Sequence, residues 1–417
     1  MLKILKIAYR NLMRYARRTL LTATLVVIGM VAVLVFIAVA GSFKEYMIGQ
    51  ITDSMLGHLQ VHRTGYVKSI DNSPLDLNMT DEEYAKITEI LKKDEGIESY
   101  SHRLKFSGMI SNYKETTNVR LNAVNPEQEL KTLPLLKQRV SKKSETADSP
   151  EMKQGEFWIP ESLAEGLDVK IGDQLVLIAT NKDGSVNGLP LIVSGVVGVM
   201  TGPGGRDGYM HIDDAYQLLR INKGEVNEIA IKLKTFENTT TSTKYLQKAL
   251  STLTDEEGKA VFELHTWDKL SPFSSIANII DLLTFFVKFI LIAIVLVSIM
   301  NVMLMAVYER IREIGTIAAI GTSPAKIRAL FLTEGLLLGI FGSMCGSLIS
   351  LGIIKLLNVT QITFAFGKQD ALLLQPHISL QEVLTTSVIV ILIAALASLQ
   401  PAIKASKLEP IEALRHV

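Results

Sequence analysis

Four long apolar runs lie very unevenly along the 417-residue chain. The first extends from Thr19 to Phe43 without a charged residue, and a long, mostly polar segment follows it. The other three lie close together, near residues 282–308, 329–354 and 383–403. A helix rises ~1.5 Å per residue, so each run is long enough to cross a hydrocarbon layer of ~30 Å. The first run also exceeds the ~7–15 apolar residues of a signal peptide.

This pattern predicts a membrane protein with an α-helical bundle of four transmembrane helices plus a large α+β extracytoplasmic domain. We divide the chain on this basis into nine segments. They are a cytoplasmic amphipathic helix (1–18), the first transmembrane helix (19–43), the extracytoplasmic domain (44–278), the second transmembrane helix (279–308), a cytoplasmic loop (309–328), the third transmembrane helix (329–354), an outer loop (355–382), the fourth transmembrane helix (383–403) and a cytoplasmic tail (404–417).

Basic residues predict the orientation. Those before the first run are accompanied by no acid, and further basic residues follow the second run and the fourth run. Positive charge favours the cytoplasmic side, so we expect both termini to be cytoplasmic in a multi-pass protein of the cell inner (cytoplasmic) membrane. Lys3, Lys6, Arg10, Arg14 and Arg17 recur at helical spacing. They predict a helix lying on membrane lipid, the alternative being a topology signal without an ordered helix.

The outer domain has mixed α and β signals. Leu59, Val61 and Arg63 alternate with neighbouring residues as in a strand, and Thr80 with Glu83 has the spacing of a helix-capping box. Similar patterns predict strands at 119–123, 157–159, 175–179, 191–199, 229–233 and 261–266, and helices at 162–167 and 242–253. From this order we expect one subdomain built from both ends of the segment and a β-rich one inserted between them.

Composition and short motifs argue against several classes of partner and binding site. A net charge of +1 gives no reason to expect nucleic acid as a partner, and the single cysteine, Cys345, excludes an intramolecular disulfide and a cysteine-based metal site. His58 and His62 would be ~13 Å apart on a strand, so we expect no metal there. Neither Gly-Lys pair is followed by a hydroxyl residue, which leaves no Walker A motif. We therefore expect no cofactor in this chain; if the protein uses ATP, another subunit binds it. The glycine-rich stretch 202–208 is either an anion cradle or a turn.

Charged residues next to the spans are the candidate functional groups. Lys288 lies within the second run, seven residues after Asp281, and either snorkels to the surface or faces a cavity. Glu334 raises the same question in the third run. The segment Glu309–Gly315 places four charges around two isoleucines where the second run ends. It predicts a short amphipathic docking element for another protein, the alternative being a solvated turn.

Three stretches resemble the FtsX-like permeases, the family of MacB and the LolC/LolE lipoprotein-releasing permeases. They read ERIREIGTIAAIGTSPAKIRALFLTEGLLLGIFG from Glu309, IAYRNLMRYARRTLLT from Ile7 and PAIKASKLEPIEALRHV from Pro401. The order of one span, an outer domain and three spans is also similar to that family. GHLQVHRTGY from Gly57 and GEFWIPESLAEGLDVKIGDQLVLI from Gly155 look more like the Lol branch than like MacB.

The resemblance implies a non-catalytic permease subunit that works with a second permease protomer and a separate ABC-type ATPase. It implies coupling of the ATPase through one set of residues: Glu309, Arg310, Arg312, Glu313, Ile314, Gly315, Ile320 and Gly321. It also implies an outer segment divided into the subdomains called porter and sabre, and an acyl-chain cavity at the outer ends of the first two spans. To this cavity we assign Phe43, Met47, Ile276, Ile280, Leu283, Phe286 and Lys288.

We expect ATP hydrolysis in the partner to drive the outer domain by mechanotransmission and to release lipoproteins from the outer leaflet. The substrate is then a lipoprotein or another extracytoplasmic molecule, with a periplasmic carrier or adaptor as a further partner. MacB-like export of a peptide, toxin or small molecule is the first alternative. Activation of a cell-wall hydrolase is the second. MacB-like members carry an N-terminal ATPase domain, which we expect this chain to lack.

Overall fold

The structure is a computed structural model that describes residues 2–72, 74–142, 152–198, 207–366 and 369–415. Most of the glycine-rich stretch noted above, residues 202–206, lies outside them. The chain forms two compact units. A membrane unit contains the residues up to Glu45, Ala277–Phe364 and the residues from Ala371 onward, and an outer unit contains Tyr46–Ile276 with Ala365–Asp370.

The helices and strands are numbered along the chain. The helices are α1 (Leu2–Arg14), α2 (Ala16–Ile51), α3 (Asp81–Lys92), α4 (Pro126–Thr132), α5 (Leu136–Arg139), α6 (Glu161–Gly166), α7 (Ile212–Leu219), α8 (Thr239–Leu250), α9 (Trp267–Leu270), α10 (Phe273–Glu309), α11 (Ile311–Ala319), α12 (Pro324–Thr360), α13 (Leu380–Ser406) and α14 (Pro410–Arg415). The strands are β1 (Leu59–Arg63), β2 (Ile97–Ser111), β3 (Thr116–Val124), β4 (Val140–Lys142), β5 (Glu156–Pro160), β6 (Gln174–Thr180), β7 (Val186–Val197), β8 (Asp207–His211), β9 (Glu228–Leu233), β10 (Phe262–Thr266), β11 (Thr363–Phe366) and β12 (Gln369–Leu373).

Within the described part of the chain, four helices are long and apolar enough to cross a membrane: α2 with the turn after it, α10, α12 and α13. Each begins before and ends after the corresponding apolar run, because hydropathy marks only the apolar part of a helix. Local chemistry sets the actual ends. Pro324 occupies the first turn of α12, where a missing N–H costs nothing. Ser379 and Glu382 form a capping box at the start of α13.

Small residues on α12 allow close packing in the membrane unit. A Cβ at Gly339 would lie 2.6 Å from the Cβ of Ala394 on α13, and one at Gly346 would lie 2.6 Å from the Cβ of Met30 on α2. Real side chains do not approach so closely, so only glycine lets these helices touch at these positions. Ile299 of α10 and Phe331 of α12 are buried in the same cluster. α12 is therefore a central packing element of this unit.

The first part of the outer unit is an antiparallel sheet with the strand order β10-β1-β9-β2. In chain order its elements are β1, α3, β2, β9, α8 and β10, which is the split β-α-β arrangement. The predicted capping box is confirmed: Thr80 accepts a hydrogen bond from the N–H of Glu83, and the carboxylate of Glu83 accepts one from the N–H of Thr80. Ile87 and Leu91 of α3 are buried in the core.

The second part is a closed ring of paired strands in the order β2-β3-β8-β5-β7-β6, in which β6 pairs again with β2. The long strand β2 belongs to both parts. Its residues Ile97–Arg103 pair with β9, and Gly108–Ser111 pair with β6. One buried hydrophobic cluster contains residues of both parts, including Leu59, Phe106 and Leu177. The two expected subdomains therefore share a strand and a core.

Candidate functional site

The charged segment after the second span folds as the short helix α11, and its two faces have different surroundings. Ile314 and Gly315 are buried, whereas Arg312 and Thr316 are exposed. Ile320, just past the end of α11, is 81% exposed. Gly321 then adopts φ +96°, a conformation that suits glycine and reverses the chain before α12. The segment is therefore an amphipathic helix with an outward face, rather than a solvated turn.

Arg310 connects α11 to the bundle. Its guanidinium is buried, and its Nε donates to Oε2 of Glu313 at 3.1 Å. Its Nη1 donates to both carboxylate oxygens of Glu334 on α12, at 3.2 and 3.3 Å. The guanidinium also lies 5.6 Å from the ring centroid of Tyr15 and 5.5 Å from that of Phe331, within cation–π range. Burial alone would lower the pKa of Arg310, but the carboxylates of Glu334 and Glu313 outweigh it and raise that pKa.

The N-terminal segment completes this cluster. The side-chain amide of Asn11 donates to Oε1 of Glu334 at 2.8 Å, and the hydroxyl of Tyr15 donates to Oε1 of Glu313 at 3.0 Å. The hydrogen bond to Glu313 is the main reason that the pKa of Tyr15 is raised. Burial alone would raise the pKa of Glu313, but the bonds from Tyr15 and Arg310 lower it. Glu313 is therefore a carboxylate, and it binds α11 to Tyr15, the residue between α1 and α2.

α11 also packs closely on the C-terminal helix. A Cβ at Gly315 would lie 2.7 Å from the Cβ of Ala413 on α14, so a side chain there would push the two helices apart. The predicted coupling residues thus form two sets. Those that bind α11 to its neighbours are Arg310, Glu313, Ile314 and Gly315, and those that are exposed are Glu309, Arg312, Ile320 and Gly321.

The residues assigned to an acyl-chain cavity are distributed over both units, and each unit is described separately. In the outer unit Met47 is buried and Ile276 is exposed. In the membrane unit Leu283 and Phe286 are exposed on α10, and Phe43, Ile280 and Lys288 are half-buried. Asp281, which the sequence placed on the same helix face as Lys288, binds Lys44 of α2: its two oxygens lie 2.7 and 2.6 Å from the Lys44 Nζ.

Sequence reasoning missed Asn11, Tyr15 and Ala413. A signal existed for part of this cluster, because a carboxylate such as Glu334 in an apolar run needs a partner. The sequence does not show which residue provides it, since Asn11 and Arg310 are far from Glu334 along the chain.

Comparisons with known proteins agree with this architecture. The family model of the MacB-like periplasmic core domain matches residues 19–249, and that of the FtsX-like permease C-terminal domain matches residues 285–410. A lipoprotein-releasing system transmembrane protein, LolC of Neisseria meningitidis, is 24% identical over 95% of this chain and 94% of its own.

A macrolide export ATP-binding/permease protein, MacB of Chromobacterium violaceum, is 31% identical over 41% of this chain, but only 26% of that relative is covered. The crystal structure of the periplasmic region of MacB from Actinobacillus actinomycetemcomitans has a TM-score of 0.36 and 17% identity, covering 53% of this chain and 92% of that one. The periplasmic core model alone matches more than half of the present sequence. The chain belongs to the MacB-like, FtsX-like family of ABC transporter permeases.

Proposed function

We propose that the chain is the transmembrane permease subunit of an ABC complex that releases lipoproteins from the outer leaflet of the inner membrane. A separate ATPase subunit binds ATP and Mg and drives the outer domain by mechanotransmission. The observation that carries the coupling part of this proposal is the division of α11 into a bound face and an exposed face.

The exposed face suits a protein partner. Ile320 presents a large apolar side chain, and the exposed Thr316 and Arg312 lie about one and two turns before it on the same face. An apolar anchor with a charged group on the same helix face is a common composition for a docking surface. Behind it, Arg310 joins α11 to α12 through Glu334. Breaking a buried ion pair costs ~3–5 kcal/mol. A push on the exposed face therefore moves the membrane helices together with α11 rather than detaching it.

The match to LolC over nearly the whole chain supports a lipoprotein substrate. Exposed apolar side chains of Leu283, Phe286 and Phe289 on α10 offer a surface on which an acyl chain could pack. We infer that the complex contains a second permease protomer, of the same or another chain, and passes its substrate to a periplasmic carrier. Export of a small molecule from the periplasm, as the name of the MacB relative describes, is the second candidate, because the outer domain matches the MacB-like core model.

Reconstitution separates these two functions. The chain is purified with its copurifying ATPase and placed in liposomes together with an acylated lipoprotein and a soluble acceptor protein. We expect ATP-dependent transfer of the lipoprotein to the acceptor. The matched control is the same lipoprotein without its acyl chains, which should not be transferred. ATP turnover that a macrolide or peptide stimulates, without any lipoprotein transfer, would favour the second candidate.

A further inference from the structure

The first span does not end at a simple helix terminus in the outer unit. α2 is followed by one π-helical turn, Thr52–Leu56, and then by Gly57 at φ +77°. The N–H of Gly57 donates to the carbonyl of Thr52 at 2.8 Å. A helix end leaves its last carbonyls without intrahelical partners and carries a partial negative charge. The carbonyls of Asp53, Ser54 and Met55 therefore need donors from elsewhere.

Three donors from the outer domain bind these three consecutive carbonyls. The N–H of Leu135 donates to the carbonyl of Asp53 at 3.0 Å. Nη1 of Arg139 donates to the carbonyl of Ser54 at 3.2 Å, and Nη1 of Arg103 donates to that of Met55 at 2.9 Å. Two of the three donors are cationic, which matches the negative end of the helix. The end of the first span is thus held by side chains and backbone of the folded domain.

Arg103 is fixed by an internal charge cluster. It is 1% exposed, and it binds two carboxylates that are 0% exposed, those of Glu129 at 2.8 Å and Glu228 at 2.6 Å. Lys105 also binds Glu228, at 2.7 Å. Burial alone would lower the pKa of Arg103, but these carboxylates raise it. Burial alone would raise the pKa of Glu228, but Lys105 and Arg103 lower it far below its ordinary range. Both groups are therefore charged and rigidly placed.

Arg139 is fixed in a different way. Its Nη2 donates to the carbonyl of Gly198 at 2.9 Å, and the N–H of Gly198 donates back to the carbonyl of Arg139 at 2.8 Å. Gly198 directly follows β7, a strand of the closed ring. Arg103 lies on β2, where that strand pairs with β9 of the open sheet. The two arginines therefore connect the same helix end to both parts of the outer domain.

We propose that Arg103 and Arg139 are positioning residues that form the joint through which movement of the first span enters the outer domain. α2 continues without interruption from the membrane unit into the outer unit, so the turn after it is one place where such movement arrives. A guanidinium can bind a carbonyl and a second acceptor at once, whereas an ammonium acts as a point charge. This proposal rests on the proposed mechanotransmission and names the residues that transmit the movement. It does not depend on the identity of the substrate.

Hydrogen–deuterium exchange in the whole complex tests the joint. The chain and its copurifying ATPase are compared in lipid nanodiscs with and without vanadate-trapped nucleotide. Arg139→Gln is the test variant and Arg139→Lys the conservative one. Arg63→Gln is the matched control, because the Nη1 of Arg63 also donates to a carbonyl, that of Asn78, and to a carboxylate, that of Glu83, each at 3.2 Å.

We expect wild type and Arg63→Gln to show the same nucleotide-dependent exchange difference in β2 and β7. In Arg139→Gln the difference in β7 should fall about tenfold, because the carbonyls of Ser54 and Gly198 both lose their charge-assisted hydrogen bonds. The difference in β2, which Arg103 still connects, the difference at α11 and the rate of ATP turnover should stay unchanged. Arg139→Lys should recover part of the difference in β7. A merely structural role would change exchange equally with and without nucleotide.

If the nucleotide-dependent exchange difference of Arg139→Gln equals that of the wild type, the proposal that Arg139 transmits the movement is wrong. A wild-type complex that shows the difference but transfers no lipoprotein would contradict the proposed substrate, and the Arg139 variants would still decide for or against the joint. If Arg139→Gln does not fold, Arg103→Lys is measured instead, with folding confirmed by tryptophan fluorescence. A clearly reduced exchange difference in β2 of that variant supports the proposal. Retention of that difference would contradict it.

Discussion

Two buried arginines, Arg103 in the outer unit and Arg310 in the membrane unit, bind two carboxylates each but differ in what surrounds them. Both carboxylates of Arg103 are completely buried, and the guanidinium also binds the backbone carbonyl of Met55. Of the two acids bound to Arg310, Glu334 is buried but Glu313 remains 36% exposed at its side chain. Aromatic rings, rather than carbonyls, flank its guanidinium.

The difference indicates two kinds of connection. Both acids that Arg103 binds are fully buried, so removal of the guanidinium would leave buried charges without it. Arg310 lies at the edge of its unit, where one of its acids still reaches solvent and where α11 presents an exposed face. We infer that the Arg103 cluster holds its neighbours in a fixed arrangement and that the Arg310 cluster supports a docking helix. The following substitutions test that contrast, from the largest expected effect to the smallest.

Arg103→Met should have the largest effect. It leaves Glu129 and Glu228 buried without their guanidinium, which costs ~3–5 kcal/mol of unfolding free energy and lowers Tm by about 10 °C. The two tryptophans of the chain, Trp158 and Trp267, are both buried in the outer unit, so their fluorescence reports its unfolding. Arg63→Met, which removes a partly exposed ion pair, should cost at most ~1 kcal/mol. Equal Tm shifts in the two variants would contradict the contrast.

Arg310→Met should have a smaller effect on folding and a large one on assembly. Within the described part of the chain it leaves the buried carboxylate of Glu334 with the amide of Asn11 as its remaining donor. Because that donor persists, the cost should be ~3 kcal/mol, at the low end for a broken buried pair. We expect about tenfold less ATPase to copurify with the tagged chain. The double substitution Arg310→Met with Glu334→Met removes both charges and should recover most of the copurification, because an apolar pair can replace a buried ion pair. No recovery would show that Arg310 acts outside this pair.

The sequence allowed the membrane architecture to be predicted more fully than the two arginine clusters. Apolar runs and basic flanks are local signals, so four spans and the amphipathic α11 followed from them. Glu313 is a local partner of Arg310, but its other partners are not: Glu334 lies on another helix, and Tyr15 is near the N-terminus. β2 was missed because its charged residues, including the buried Arg103 and the half-buried Lys105, break the expected alternation. A charged side chain can be buried only where a group of opposite charge, often far away in the sequence, lies beside it. The periodicity of a single strand does not show that partner.

Gly315→Ala tests the packing of α11 directly. The added methyl group would lie 2.7 Å from the Cβ of Ala413, so α11 and α14 must separate, at a cost of ~1–3 kcal/mol. Gly352→Ala is the matched control on α12, because its Cβ would meet nothing within 4 Å, and it should stabilise the helix by ~0.5–1 kcal/mol. ATPase copurification should fall for the first variant and not for the second. If copurification falls for Gly352→Ala and not for Gly315→Ala, close packing is not the role of Gly315.

Lowering the pH below 6.5 should weaken the outer unit gradually. Burial lowers the pKa of His58, His62 and His102 below the ordinary value of 6.5. Protonation then favours the unfolded chain, so stability is complete above pH 6.5 and falls as the pH decreases below it, by at most ~1.4 kcal/mol per pH unit for each histidine. The lowered pKa of Glu228 adds a loss only below its ordinary value of 4.5.

Tm from tryptophan fluorescence between pH 7 and pH 5 measures this slope. His62→Gln should reduce it, because an amide keeps a donor near Glu228 without titrating. A slope that His62→Gln does not alter would show that His62 is not one of the titrating groups.

Cysteine crosslinking at the exposed end of α11 tests the central claim most directly. In a Cys345→Ser background, Ile320→Cys is compared with Leu380→Cys, at positions that are 81% and 74% exposed. A bifunctional thiol–amine reagent is added to the complex of the chain with its copurifying ATPase. We predict a crosslink to the ATPase from position 320 and none from position 380. Copurification of the ATPase with a crosslink only from position 380 would contradict docking at α11.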